Sequence, residues 1–113
     1  MPYRKILVPF DGSPGSWKAM RKATMLAREQ NAELTALSVE EHLPHYAATV
    51  GEVQEEKEQE NEYFAKVQGE AAKLAKEQGV ALKTAIQPGH GAQTIVQYAA
   101  EQGCDLIVIG HSG

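Results

Sequence analysis

At 113 residues the chain has room for one domain and one core, but little more. Its 11 Lys and Arg against 15 Asp and Glu leave a formal net charge of −4, which argues against a general nucleic-acid or anionic-membrane surface yet leaves room for one small anionic ligand held by backbone amides. The single cysteine, Cys104, excludes an internal disulfide, and no apolar run approaches the length of about 20 residues that spans a bilayer.

The lone cysteine leads us to expect a reducing, cytoplasmic setting, and the first strand is expected at Lys5 to Phe10, almost at the N-terminus, so no signal peptide is expected. The run Ile6-Leu7-Val8-Pro9-Phe10-Asp11-Gly12-Ser13 organises the rest. It begins as a continuous apolar segment, the pattern of a strand buried on both faces, and it opens into an acid, a glycine and a hydroxyl before a helix. Ser13 is placed to cap that helix and Pro14 to occupy its first position, where a missing N–H costs nothing. The helix is expected to run to about Gln30, with Ala19, Ala23, Leu26 and Ala27 facing a sheet, Trp17 packing at its start and Asn31 as its stop.

A second strand is expected over Glu33 to Val39, followed by an irregular stretch from Glu40 to Gly51. His42 and His45 lie in that stretch, but without a cysteine or a third histidine at ligand spacing they do not make a metal site, and no metal is expected. From Glu52 the sequence turns acidic and helix-forming. Its apolar stripe begins at Tyr63 and Phe64 and continues through Val67, Ala71, Leu74 and Ala75, so the first turns are expected to project into solvent. The glutamates of those turns have nothing apolar around them to raise a pKa and are read as a solvated face. Gly79 stops this helix. A third strand is expected at Val80 to Ile86, and after Pro88-Gly89-His90-Gly91 a helix from Ala92 to about Gln102, with Ala92, Ile95, Val96, Ala99 and Ala100 inward. Gly103 ends it, Cys104 reads as a small buried hydrophobe, and the aliphatic run Asp105 to Ile109 is expected to be a central strand.

Strict alternation of strands and helices implies an α/β fold, a Rossmann-like open parallel sheet with right-handed crossovers. The two most apolar strands, the first and the fourth, are expected side by side in the middle, with the strand order reversing between them. Ligands of such sheets bind beyond the C-terminal strand ends at the reversal, so Asp11 and the turn Gly110-His111-Ser112-Gly113 are expected to face one crevice.

Three chemistries fit such a crevice to different degrees. Gly110-x-x-Gly113 after a buried strand lets the backbone approach a phosphate closely, while Asp11 can accept hydrogen bonds from ribose hydroxyls; the same glycines also serve as plain strand-to-helix turns. Gly110-His111-Ser112-Gly113 resembles the start of a nucleophile elbow, but a hydrolase of that kind needs an acid and a histidine after the serine and an oxyanion segment, and neither is present. The third reading is an oligomeric interaction or regulatory module that binds no nucleotide, with the fourth strand as an apolar edge that another chain covers. No general base stands near a nucleophile in the sequence pattern, so no catalytic residues are expected, and slow ATP hydrolysis is the most that is expected.

The residues together resemble the universal stress protein (UspA-like) family. The matching pieces are Lys5 to Ser13, Leu37-Ser38-Val39, Pro88-Gly89 and Cys104 to Gly113, in the family's order and spacing. The resemblance implies a Rossmann-like fold with sheet order 3-2-1-4-5 and helices on both faces, a dimeric cytoplasmic protein of the stress response, and binding of ATP or AMP with Mg²⁺ carried by the phosphates. It implies that Pro9, Phe10 and Asp11 line an adenosine pocket, that Val39 meets adenine through its backbone, and that Ile109, Gly110 and Gly113 begin a G-x2-G-x9-G-[S/T] phosphate loop. Because the sequence stops at the second glycine of that motif, the resemblance also implies a C-terminally incomplete domain, with order 3-2-1-4 and the fifth strand beyond the chain. The expected partners are a small nucleotide and a second copy of the chain, with neither nucleic acid nor membrane.

Overall fold

The structure, a computed structural model, describes residues 3–41 and 50–110, with the backbone alone for 50–57. In chain order it contains β1 (Lys5–Pro9), α1 (Pro14–Gln30), β2 (Glu33–Glu40), α2 (Val50–Glu77), β3 (Leu82–Pro88), α3 (Gly91–Gln102) and β4 (Leu106–Ile107). The strands form one parallel sheet in the order β3-β2-β1-β4. The order therefore reverses between β1 and β4, the two most apolar strands, as expected from the sequence.

The two-residue period of the strands divides the core between the two faces. Ile6, Val8, Phe10, Leu34 and Ala36 point to one face, where α1 supplies Ala19, Met20, Ala23 and Ala27 and α2 supplies Phe64, Val67, Ala71 and Ala75. Leu7 and Leu37 point to the other face, which α3 covers with Ala99, Ile95 and Tyr98. Alanines on α1 let the helix lie close to the sheet, as expected, and Met20 and Thr24 join them in the core. Thr24 is tolerated there because its hydroxyl donates back to the Met20 carbonyl at 2.7 Å. Trp17 packs edge-to-face on Phe10, with ring centroids 4.9 Å apart.

The three described helices end by the same local device. Asn31, Gly79 and Gly103 each adopt a positive φ, and the next residue's N–H reaches back to a carbonyl five residues earlier: Ala32 to Ala27, Val80 to Ala75 and Cys104 to Ala99. That geometry corrects the third strand. Val80 belongs to the cap of α2, not to the ladder, so β3 starts at Leu82 and runs to Pro88, in register with Leu34 to Glu40.

Three further expectations change. Glu40 closes β2, and Val50 and Gly51 lie in α2, so the irregular stretch is shorter than read; its histidines, His42 and His45, fall outside the described residues. In the described sheet β4 stands at the end of the order, not in the middle, and pairs with β1, a pairing that the Asp105 and Val108 N–H groups extend to the Lys5 and Leu7 carbonyls. A continuous aliphatic run reports cover on two faces and says nothing about partners on two edges. Finally, α3 rests on the sheet through a narrower stripe than its apolar residues indicate: Ala99 is buried, Ile95 is half-buried, and Ala92, Val96 and Ala100 are exposed, Val96 to 63%.

Candidate functional site

At its C-terminal end β1 leaves the sheet in steps that fix each residue. The Phe10 N–H still donates to the Leu37 carbonyl at 2.8 Å, holding the chain beside β2. Asp11 then emerges, and its Oδ1 accepts the Ser13 N–H at 2.9 Å, closing a tight turn. Gly12, at φ +83°, makes the turn possible, since side chains rarely adopt that backbone conformation. Ser13 caps α1 by accepting the Ser16 N–H at 3.3 Å, Ser16 Oγ returns a bond to the Ser13 carbonyl at 2.9 Å, and Pro14 follows at the first helical position.

From the neighbouring strand Gly110 comes down onto the first turn of α1. A Cβ at Gly110 would collide with the carbonyl oxygen of Gly15, so the two backbones pack with nothing between them. This close approach is a packing reason for glycine at 110 that stands beside any ligand role.

Between these two strand ends lies a cavity of about 310 Å³. Pro9, Leu37, Val39, Ile95 and Ile109 give it an apolar wall, while Asp11, Ser13, Ser16 and Glu41 give it polar groups. Pro9, Phe10, Asp11, Val39, Ile109 and Gly110, picked out from the sequence, all line this one cavity. Gly113 lies outside the described residues, as do His111 and Ser112. Ser13, Gly15, Ser16, Leu37, Glu41 and Ile95 line it as well without having been singled out for it. Alternation along β2 could have found Leu37 and Glu41, since both share the face of Val39. Ile95 comes from α3 and needed the packing.

Two acids and no cation stand among the described lining residues. Partial burial pushes the Asp11 carboxyl up, but the hydrogen bonds from Ser13 and Ser16 outweigh it, and the group sits below the usual aspartate value. It is an anion and an acceptor at neutral pH. The Glu41 carboxylate accepts the Gly91 N–H at 2.6 Å and so closes the start of α3. A ligand in this cavity meets a flat apolar wall, an acceptor carboxylate beside it, and the hydroxyls and backbone of the α1 start. No cluster of three or more His, Cys, Asp or Glu with metal-binding geometry occurs among the described residues. No described helix is long and apolar enough to cross a membrane.

Comparisons with known proteins converge. The family model described as the universal stress protein family matches residues 2–113. The fold matches the universal stress protein UspA of Lactobacillus plantarum at a TM-score of 0.89 and 29% identity, over 100% of this chain and 80% of that one. It also matches a universal stress protein family member from Burkholderia pseudomallei at 0.84 and 25% identity, over 96% and 82% of the two chains. A universal stress protein solved in complex with cAMP shares the fold at 0.74 and 23% identity, over 95% of this chain and 75% of that one. With the sheet order and the cavity at its reversal in place, these matches show that the chain belongs to the universal stress protein family.

Proposed function

We propose that the chain is a nucleotide-binding domain of the stress response that takes an adenine nucleotide, ATP or AMP, in the cavity between β1 and β4. The observation that carries this reading is the convergence of Pro9, Phe10, Asp11, Val39, Ile109 and Gly110 on one cavity at the strand-order reversal. The family member bound to cAMP supports it by holding an adenine nucleotide on the same fold.

In this reading the base lies against Val39, Leu37 and Ile95, and the ribose hydroxyls donate to the Asp11 carboxylate. The low pKa of Asp11 keeps it ionised for that task. Two carboxylates in the wall repel phosphates, so the phosphate chain points away from Asp11 and Glu41, past Gly110, with its charge met by Mg²⁺ and by backbone N–H groups, Gly113 included. Mg²⁺ arrives on the phosphates. The protein binds and does not carry out chemistry of its own beyond slow hydrolysis. A cytoplasmic homodimer completes the proposal.

Calorimetric titration of ATP with Mg²⁺, with the mass in solution measured alongside, tests it. Saturable binding that weakens about tenfold in Asp11→Ala, with the variant still folded, is the expected result, the size of one charge-assisted hydrogen bond. No binding by the folded chain, or equal affinity in Asp11→Ala, would overturn it. A second reading, an oligomeric interaction module without a nucleotide, draws on the exposure of Ile109 (73%), two residues past β4, and of Val96 (63%) on α3. Association without nucleotide binding would favour it.

A further inference from the structure

We propose that Tyr63 of α2 is a positioning residue for the cavity: its hydroxyl fixes the turn that aims the Asp11 carboxylate at the ligand's ribose. The inference rests on the nucleotide reading above and adds a residue outside the cavity wall. Tyr63 donates its hydroxyl to the Asp11 carbonyl at 2.9 Å.

The contact belongs to a clamp that holds three successive residues of the turn. Upstream, the Phe10 carbonyl accepts from Ser38 Oγ at 2.6 Å, and Gln68 of α2 donates to that same Ser38 oxygen at 2.9 Å. Gln68 also donates to the Ala85 carbonyl of β3 at 2.9 Å, so the amide is itself locked in place, and both Ser38 and Gln68 are buried. Downstream, Gly12 leaves just enough space for the clamp, since a Cβ there would stand 2.6 Å from the Tyr63 hydroxyl and 3.0 Å from Val67. α2 therefore holds the Asp11 carbonyl directly through Tyr63 and the Phe10 carbonyl indirectly through Gln68 and Ser38, and it fills the space beside Gly12. With the Asp11 carbonyl held on one side and its carboxylate held by Ser13 on the other, the residue has a single orientation.

Packing alone does not account for a tyrosine at this position. Its neighbour Phe64 supplies the buried ring, whereas Tyr63 stays 47% exposed. The hydroxyl is the specific part of the side chain, and its partner is the backbone of the residue that faces the ligand.

The test compares binding of ATP, 2′-deoxy-ATP and 3′-deoxy-ATP to the whole chain and to Tyr63→Phe. The wild type is expected to prefer ATP roughly tenfold over at least one deoxy analogue, the worth of one hydrogen bond to a charged acceptor. In Tyr63→Phe that preference falls to about threefold or less, with little change in melting temperature because the bond is exposed. A merely structural role for Tyr63 would leave that preference unmoved, and in an Asp11→Ala background Tyr63→Phe is expected to change it no further, as for a residue that acts through Asp11. A preference that survives Tyr63→Phe, or one absent from the wild type while ATP still binds, overturns the positioning role alone. Failure of every nucleotide to bind overturns the nucleotide reading and this inference together.

Discussion

Asp11 shows how a residue is committed to a role by its immediate neighbours. Burial raises its pKa, the hydrogen bonds from Ser13 and Ser16 lower it, and the lowering wins. A carboxyl whose folded-state pKa is depressed stabilises the fold above its unfolded pKa, and that contribution is lost as pH falls through the folded value. An NMR titration of the Asp11 side-chain carboxyl is therefore expected to give a midpoint below the ordinary aspartate value of about 4. Stability is expected to fall less steeply below about pH 4 in Asp11→Asn than in the wild type. A midpoint at or above the ordinary value would mean that the turn does not hold the carboxylate. Gly110 is committed in the opposite way, by the absence of space above Gly15. The sequence marks both residues, but for Gly110 it cannot separate a phosphate approach from a helix approach, because both ask for the same missing side chain.

At the scale of elements, the helices and their ends were the most legible part. Ser13, Pro14, Asn31, Gly79 and Gly103 act through bonds that close within a few residues, so local sequence suffices to place them. The faces of the helices were less legible. On α1, Ala19, Ala23 and Ala27 face inward as their spacing indicates. On α3, Val96 and Ala99 read as equally apolar, yet only Ala99 reaches the sheet. Val96→Ser is expected to move stability by less than about 0.5 kcal/mol, whereas Ala99→Leu overfills the contact with Leu7 and Leu37 and costs roughly 1–3 kcal/mol. Chemical denaturation of the two variants checks this. Equal losses would mean that α3 sits rotated from the position described.

Across the whole molecule the two faces of the sheet are unequally covered. Among the described residues α1 and α2 share one large cluster with β1 and β2, α3 is the helix that covers the other face, and β4 has β1 as its one partner. Local opening follows buried contacts. Amide hydrogen exchange is therefore expected to be slowest in β1 and β2 and distinctly faster in α3 and β4. Uniform protection would show that the sheet opens only as a unit.

The strand order 3-2-1-4 was implied by the family resemblance, whereas the α/β class, the parallel sheet, the helix caps and the gathering of Asp11 with Gly110 at the reversal were determined by the sequence by itself. These follow from periodicity, from local capping and from the handedness of crossovers, all of which are written in short stretches of chain. Only the tertiary structure decided that β4 stands at the end of the described sheet, that Val80 caps a helix instead of starting a strand, that Ile95 and Glu41 join the cavity, and that Tyr63, Ser38 and Gln68 hold the turn. Apart from the Val80 cap, which closes on Ala75 five residues back, each of these depends on a partner tens of residues away. Whether Gln68 meets Ser38 or water is set by the docking of α2 on the sheet, which the pattern of α2 alone does not encode.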